Sequence, residues 1–149
     1  KGKINWKKRY KYMRMHTALH ILCAVIPLGV TGGQIGTIKS RLDFNADMNS
    51  INKEEIQKKL NQILINNHVI DNVWLERKEL EKKQELIRTM SVKPPIINDK
   101  IRLVKIGNID LQPCGGTHVK NTSEIGSIII NKIENKGKMN KRVYISLND

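Results

Sequence analysis

An α+β fold, with an antiparallel sheet and helices packed on one face, is the class this sequence predicts, and three observations predict it. Met13, His16, Leu19, His20 and Cys23 recur at steps of three and four residues, the period of one helical face. "TIKSRLDF" (Thr37 to Phe44) alternates apolar and polar residues, the period of a half-buried strand. "EIGSIIINKIENKG" followed by "NKRVYISL" has the form of two strands joined at "KGKMN", so the chain closes on a hairpin.

Every charged residue from Lys1 to Arg14 is basic, namely Lys1, Lys3, Lys7, Lys8, Arg9, Lys11 and Arg14, with Trp6, Tyr10 and Tyr12 interleaved. Such a stretch suits phosphates and stacked bases, and equally a solvated linker into the first helix. That helix is expected from Met13 and stops before Pro27 and Gly29, which cannot continue it. "VTGGQIG" (Val30 to Gly36) has the composition of a glycine-rich turn, ahead of the strand at Thr37 to Phe44. Ser50 or Asn52 can cap a second helix, whose apolar set Ile56, Leu60, Ile63 and Leu64 has helical spacing, with Glu54 and Glu55 in the favourable first turn. His68 follows as a polar residue of that helix's C-terminal end.

"VIDNVWLERKEL" predicts a strand leading into a short charged helix that ends near Met90, and Pro94-Pro95 marks a loop. "KIRLVKI" (Lys100 to Ile106) and "NIDLQP" (Asn108 to Pro113) are expected strands ahead of "CGGTH". There is no internal repeat and no low-complexity tract.

At 149 residues the chain suffices for one domain with a real core. Lys+Arg 27 against Asp+Glu 14 gives a formal charge of +13, which suits a polyanion such as nucleic acid or an anionic membrane surface. A chain this rich in Lys, Asn and Ile also carries charge through coding bias, so where the charge sits says more than its total. Two cysteines, Cys23 and Cys114, in a domain too large to need disulfide staples point to a reducing, cytoplasmic setting. The apolar run Ile21 to Val30 is too short to span a bilayer and is interrupted by Pro27, which argues against a membrane location.

His16 and His20 sit one helical turn apart, about 6 Å at Cβ, so both imidazoles can reach one ion. Alone that spacing is weak, because a histidine on an apolar face is more often a satisfied core residue. "CGGTH" supplies a second pair, Cys114 and His118, separated by Gly115, Gly116 and Thr117. The two glycines allow a turn tight enough for thiolate and imidazole to converge. Together the four side chains match the number and type of ligands that tetrahedral zinc takes. Cys23, three residues after His20, reads as a small core thiol instead.

"RMHTALH", "LQPCGGTHV", "TSEIG" and the closing "KGKMNKRVYISL" resemble the editing domain shared by alanyl-tRNA synthetases and the free-standing alanyl-tRNA editing proteins, the AlaX family. The resemblance runs from about Trp6 to Leu147 and implies the threonyl/alanyl-tRNA synthetase editing-domain fold. It implies a zinc-binding deacylase of mischarged tRNA, seryl-tRNA(Ala) above all, or tRNA(Ala) carrying glycine. The family's metal positions fall on His16, His20, Cys114 and His118. A glutamine near the amino-acid pocket falls on Gln34, and a threonine that reads the serine hydroxyl on Thr31. Longer members carry an N-terminal β-barrel, so residues 1–12 are expected to be a basic linker from a missing N-terminal domain and residues 13–149 the editing domain. An end directly after the last strand favours action in trans over a synthetase fragment.

The implied reaction is hydrolysis of an ester between an amino acid and the terminal ribose of tRNA. Four protein ligands close a tetrahedral site, whereas a catalytic zinc keeps one position open. Either one ligand yields to substrate or the zinc chiefly organises the pocket. Alanine fits any pocket that admits serine, so discrimination needs a group that bonds the hydroxyl. Lys136, Lys138, Lys141 and Arg142 at the closing hairpin, with Lys7, Lys8 and Arg9 ahead of the first helix, are the expected tRNA contacts. The rival reading is a zinc-stabilised RNA-binding module without catalysis, which an open cleft beside the metal would disfavour.

Overall fold

A computed structural model describes residues 1–47, 49–88 and 93–148. The first helix, α1 (Trp6–Val25), starts earlier than Met13 because the Asn5 side chain accepts the Lys8 backbone N–H at 3.0 Å, a cap inside the basic stretch. Lys7, Lys8 and Arg9 therefore lie on its exposed first turns, where a linker was expected. From Thr17 to Cys23 the helix is buried all round and forms the spine of the core.

β1 (Val30–Gln34) and β2 (Lys39–Phe44) run antiparallel, with Gly33 opposite Leu42 and an irregularity between Val30 and Gly32. The expected glycine-rich turn is thus an edge strand. Its glycines serve close packing, since a Cβ on Gly33 would lie 2.8 Å from Leu42 Cδ2. α2 (Lys53–Ile65) is capped by Asn52, which accepts from the Glu55 N–H at 3.0 Å, and it buries Ile56 and Leu60. His68 lies past its end.

β3 (Ile70–Glu76) leads into α3 (Arg77–Glu81), which stops well short of Met90; Met90 itself lies outside the described residues. β4 (Ile96–Ile97), β5 (Lys100–Ile106) and β6 (Asp110–Pro113) follow, then a 3-10 turn at Thr122–Ile125 closed by a reciprocal cap between Asn121 and Glu124. β7 (Ser127–Gly137) and β8 (Asn140–Asn148) form the expected terminal hairpin.

The class is α+β as expected, but the strands divide into two antiparallel sheets, β1-β2-β8-β7 and β3-β5-β4 with β6 also on β5. The main core lies between α1, α2 and the first sheet, around Met15, Leu22, Phe44, Leu60, Ile130 and Ile145. Leu80, Ile101 and Leu103 make a smaller core under α3. Among the described residues no helix is long and apolar enough to cross a membrane.

Candidate metal centre

Two segments remote in sequence meet here. α1 presents His16 and His20 one turn apart, their ring centroids separated by 5.0 Å. β6 runs into Cys114, and the chain then turns through Gly115 and Gly116 so that the His118 ring returns to within 4.2 Å of His16 and 4.4 Å of His20. Ligand atoms of His16, His20, Cys114 and His118 all lie within 4.8 Å of one another.

Cys114 Sγ stands 3.4 Å from His118 Nε2 and 3.6 Å from His16 Nε2. Metal–sulfur bonds of about 2.3 Å and metal–nitrogen bonds of about 2.0 Å at the tetrahedral angle put the two donors about 3.5 Å apart. Both Cys114 separations match donors around one ion, and the four expected ligands could together bind a metal. Cys23 stays outside the set as a buried thiol that burial pushes up to about 12.

The loop is held from outside. Arg102 on β5 donates from Nε to the Cys114 carbonyl at 2.9 Å and from Nη2 to the Gly116 carbonyl, while the Cys114 N–H returns to the Arg102 carbonyl at 3.1 Å. A side chain at Gly116 would displace the His16 ring, because a Cβ there would lie 2.7 Å from His16 Nδ1. The Gly116 N–H also points at Cys114 Sγ, 3.4 Å away.

Proton positions follow from the same network. Thr17 Oγ1 donates to the Met13 carbonyl at 2.9 Å, so it can only accept from His118 Nδ1 at 3.0 Å. That leaves the His118 Nε2 lone pair facing Cys114. His20 Nδ1 faces Asp110 Oδ2 at 3.6 Å.

Burial pushes the Cys114 thiol up, yet the His118, His16 and His20 rings around the sulfur outweigh it and hold the group down at about 3. Burial also drives His118 down to about 4, against the pull of Cys114. For His20 burial is again the largest influence and lowers it, but Asp110 and Cys114 together reverse the sign and its pKa is raised. A deprotonated sulfur and a neutral His118 are the forms in which such side chains bind metal.

A cavity of about 370 Å³ adjoins His16 and His20, walled by Leu19, Cys23, Val30 and Leu42, with Gln34 and Gln112 as its polar side chains and Gly32 and Gly33 as bare backbone. Of the two expected pocket residues, Gln34 lines this cavity. Thr31 does not; its hydroxyl turns to Asn140 Oδ1 at 3.4 Å. Sequence reasoning missed Asp110, Gln112, Thr17 and Arg102, although Asp110 and Gln112 lie just before Cys114 in "NIDLQPC".

The expected tRNA contacts differ in exposure. Lys7, Lys8, Arg9, Lys136 and Lys138 are exposed, with Lys136 paired to Glu134 at 3.2 Å. Lys141 is only 4% exposed. Arg142 grips Asp43 with two hydrogen bonds of 2.8 and 2.9 Å, and together with Arg41 holds that carboxyl below its usual range.

Residues 101–144 match the family model of the threonyl and alanyl tRNA synthetase second additional domain. Over 154 residues the chain is 40% identical to alanyl-tRNA editing protein AlaX-M of Methanosarcina acetivorans, covering 100% of this chain and 63% of that protein. AlaX-M of Saccharolobus solfataricus is 39% identical over 150 residues, covering 98% of this chain and 63% of its own length. Alanine–tRNA ligase of Methanococcus maripaludis is 34% identical over 143 residues, which are 90% of this chain and 16% of the ligase. The chain thus spans about 63% of the length of the AlaX-M relatives it matches. With a shared domain model, 40% identity to an editing protein over the whole of this chain and a ligand cluster assembled by the matched segments, the chain belongs to the alanyl-tRNA editing (AlaX) family.

Proposed function

We propose that this domain hydrolyses mischarged aminoacyl-tRNA, seryl-tRNA(Ala) above all, acting in trans with zinc held by His16, His20, Cys114 and His118. The observation that carries this reading is the cavity of about 370 Å³ opening directly on His16 and His20. Its size lies within the roughly 300–1,000 Å³ of small-molecule sites. A ligand set that only stapled the fold would need no such opening, so the cavity favours an enzyme over a non-catalytic module.

Bound zinc supplies Lewis acidity, which polarises an ester carbonyl and is worth several kcal/mol. The chain's own residues do the rest. Among the described residues β1 is the edge strand of its sheet, so backbone groups of Gly32 to Gln34 not paired with β2 can bond the aminoacyl end, and the bare Gly32 and Gly33 let it approach. Leu19, Val30 and Leu42 exclude water from the walls. Gln34 and Gln112 are the polar side chains in reach of a serine hydroxyl. A site that pairs a hydroxyl disfavours the analogue without it by roughly 10⁴- to 10⁵-fold.

The test incubates the zinc-loaded chain with seryl-tRNA(Ala) and with alanyl-tRNA(Ala). Release of serine with alanyl-tRNA(Ala) left intact is expected, and Gln34→Leu is expected to narrow that difference. No serine released above the rate in buffer would sink the proposal.

A further inference from the structure

Each histidine of the cluster has a ring nitrogen turned away from Cys114, and the three surroundings differ. His118 Nδ1 has the neutral Thr17 hydroxyl, and His16 Nδ1 lies against Gly116. His20 Nδ1 is buried and has no hydrogen-bond partner among the described residues. A polar nitrogen left so is unfavourable and asks for a reason.

The group it faces is equally unusual. Asp110 Oδ2 stands 3.6 Å away, with the two side chains 8% and 3% exposed. Among the described residues no lysine or arginine pairs with this carboxylate, and His20 is its one ion-pair partner. Gln112 Nε2 donates to the same oxygen at 2.7 Å and aims it at the ring. A buried carboxylate is expected to be paired, so Asp110 is held in place for a charge that the protein's own cations do not supply.

We infer that Asp110 is the positioning and charge-balancing partner of His20 in a divalent-metal centre, with Gln112 fixing its orientation. Its carboxylate accepts from the Nδ1–H of His20, which leaves the Nε2 lone pair to the ion, and its charge joins that of the Cys114 thiolate. Two buried negative charges then match a divalent cation among three neutral imidazoles. The contrast with Thr17, which orients His118 without adding charge, is the content of the inference. It rests on the metal-binding reading above.

The experiment compares the full chain with Asp110→Asn, Asp110→Glu, Thr17→Val and His20→Ala. Zn²⁺ affinity is measured by chelator competition, Co²⁺ visible absorption reports the ligand field, and thermal unfolding checks the fold. Asp110→Asn is expected to lower Zn²⁺ affinity about 10- to 100-fold and alter the Co²⁺ spectrum. Asp110→Glu should recover part of the affinity, and Thr17→Val should lose less than Asp110→Asn. Affinity in Asp110→Asn indistinguishable from the unsubstituted chain, while His20→Ala loses the metal, would overturn the inference and leave the metal site standing. Failure of the unsubstituted chain to bind Zn²⁺ would overturn both. If Asp110→Asn does not fold, Gln112→Leu carries the test: a weaker loss in the same direction supports the role, and unchanged affinity refutes it.

Discussion

The candidate metal centre and the basic surface were both expected from residue types, and the fold treats them differently. His16, His20, Cys114 and His118, separated by up to 102 positions, come within 4.8 Å of one another. The seven cations expected to meet tRNA do not form such a set: Lys138 and the α1 cations are exposed, Lys141 is buried and Arg142 is spent on Asp43. A ligand set is a mutual-distance constraint among rare side chains, so finding both halves in one chain already implies their meeting. A lysine constrains nothing but its own solvation, and a chain with 27 Lys and Arg offers many equivalent choices.

Removing one ligand should break this contrast most severely. Cys114→Ala deletes the only thiolate of the cluster, and the loss of Zn²⁺ affinity should exceed the roughly 10- to 100-fold that an outer-shell partner costs. Chelator competition measures it, and retention of affinity would mean that the convergence of donors is incidental. Gly116→Ala should come next without touching a ligand, because its Cβ would press on His16 Nδ1 from 2.7 Å. Overpacking of this kind costs about 1–3 kcal/mol. The melting temperature and the Zn²⁺ affinity of Gly116→Ala should fall together, whereas a fall in stability alone would mean that His16 yields without leaving the set.

Acid should act on the same cluster more gently. Cys114 and His118 have folded pKa values depressed to about 3 and about 4 from ordinary values of 9.0 and 6.5. Each binds fewer protons folded than unfolded, so each contributes stability that is lost as pH falls towards its folded value. His20 is raised above 6.5, so below that pH it is protonated in both states and adds no slope. Stability of the zinc-free chain should therefore rise with pH between about 4 and 6.5, where both depressed groups act in the same direction. Urea midpoints measured across that interval check the sign, and a flat or falling profile would remove the thiolate–imidazole coupling.

How much of this was legible follows the same divide. The helix bearing His16 and His20, the capped α2 and the closing hairpin stood out because period and capping chemistry are local. β1 was hidden because Gly32 and Gly33 signal a turn by composition, while their purpose, close approach to Leu42 and to a cavity, is tertiary. The start of α1 was readable in Asn5 but was masked by the run of lysines around it. Asp110 and Thr17 gave no signal, since an aspartate in a short strand and a threonine on a helix acquire meaning only when a histidine ring arrives beside them. Division of the strands into two sheets depends on β5 choosing β3, β4 and β6 as neighbours, which no local pattern encodes.

The smallest effects should come from the basic hairpin, and they separate a cation with a structural task from one without. Arg142 makes a two-pronged contact with Asp43 that Arg41 only partly duplicates. Arg142→Ala should lower stability by about 1 kcal/mol, the upper end for a partly exposed ion pair. Lys138 is exposed at the hairpin turn and has no ion pair among the described residues. Lys138→Ala should leave stability within about 0.5 kcal/mol of the unsubstituted chain. If it meets tRNA, its removal should weaken binding and reduce the slope of log affinity against log salt by about 1. Filter binding of uncharged tRNA(Ala) over a salt series, with thermal unfolding of the same proteins, tests both. A slope unchanged in Lys138→Ala would take this turn off the RNA, and an unchanged melting temperature in Arg142→Ala would return Arg142 to the pool of cations available for phosphate.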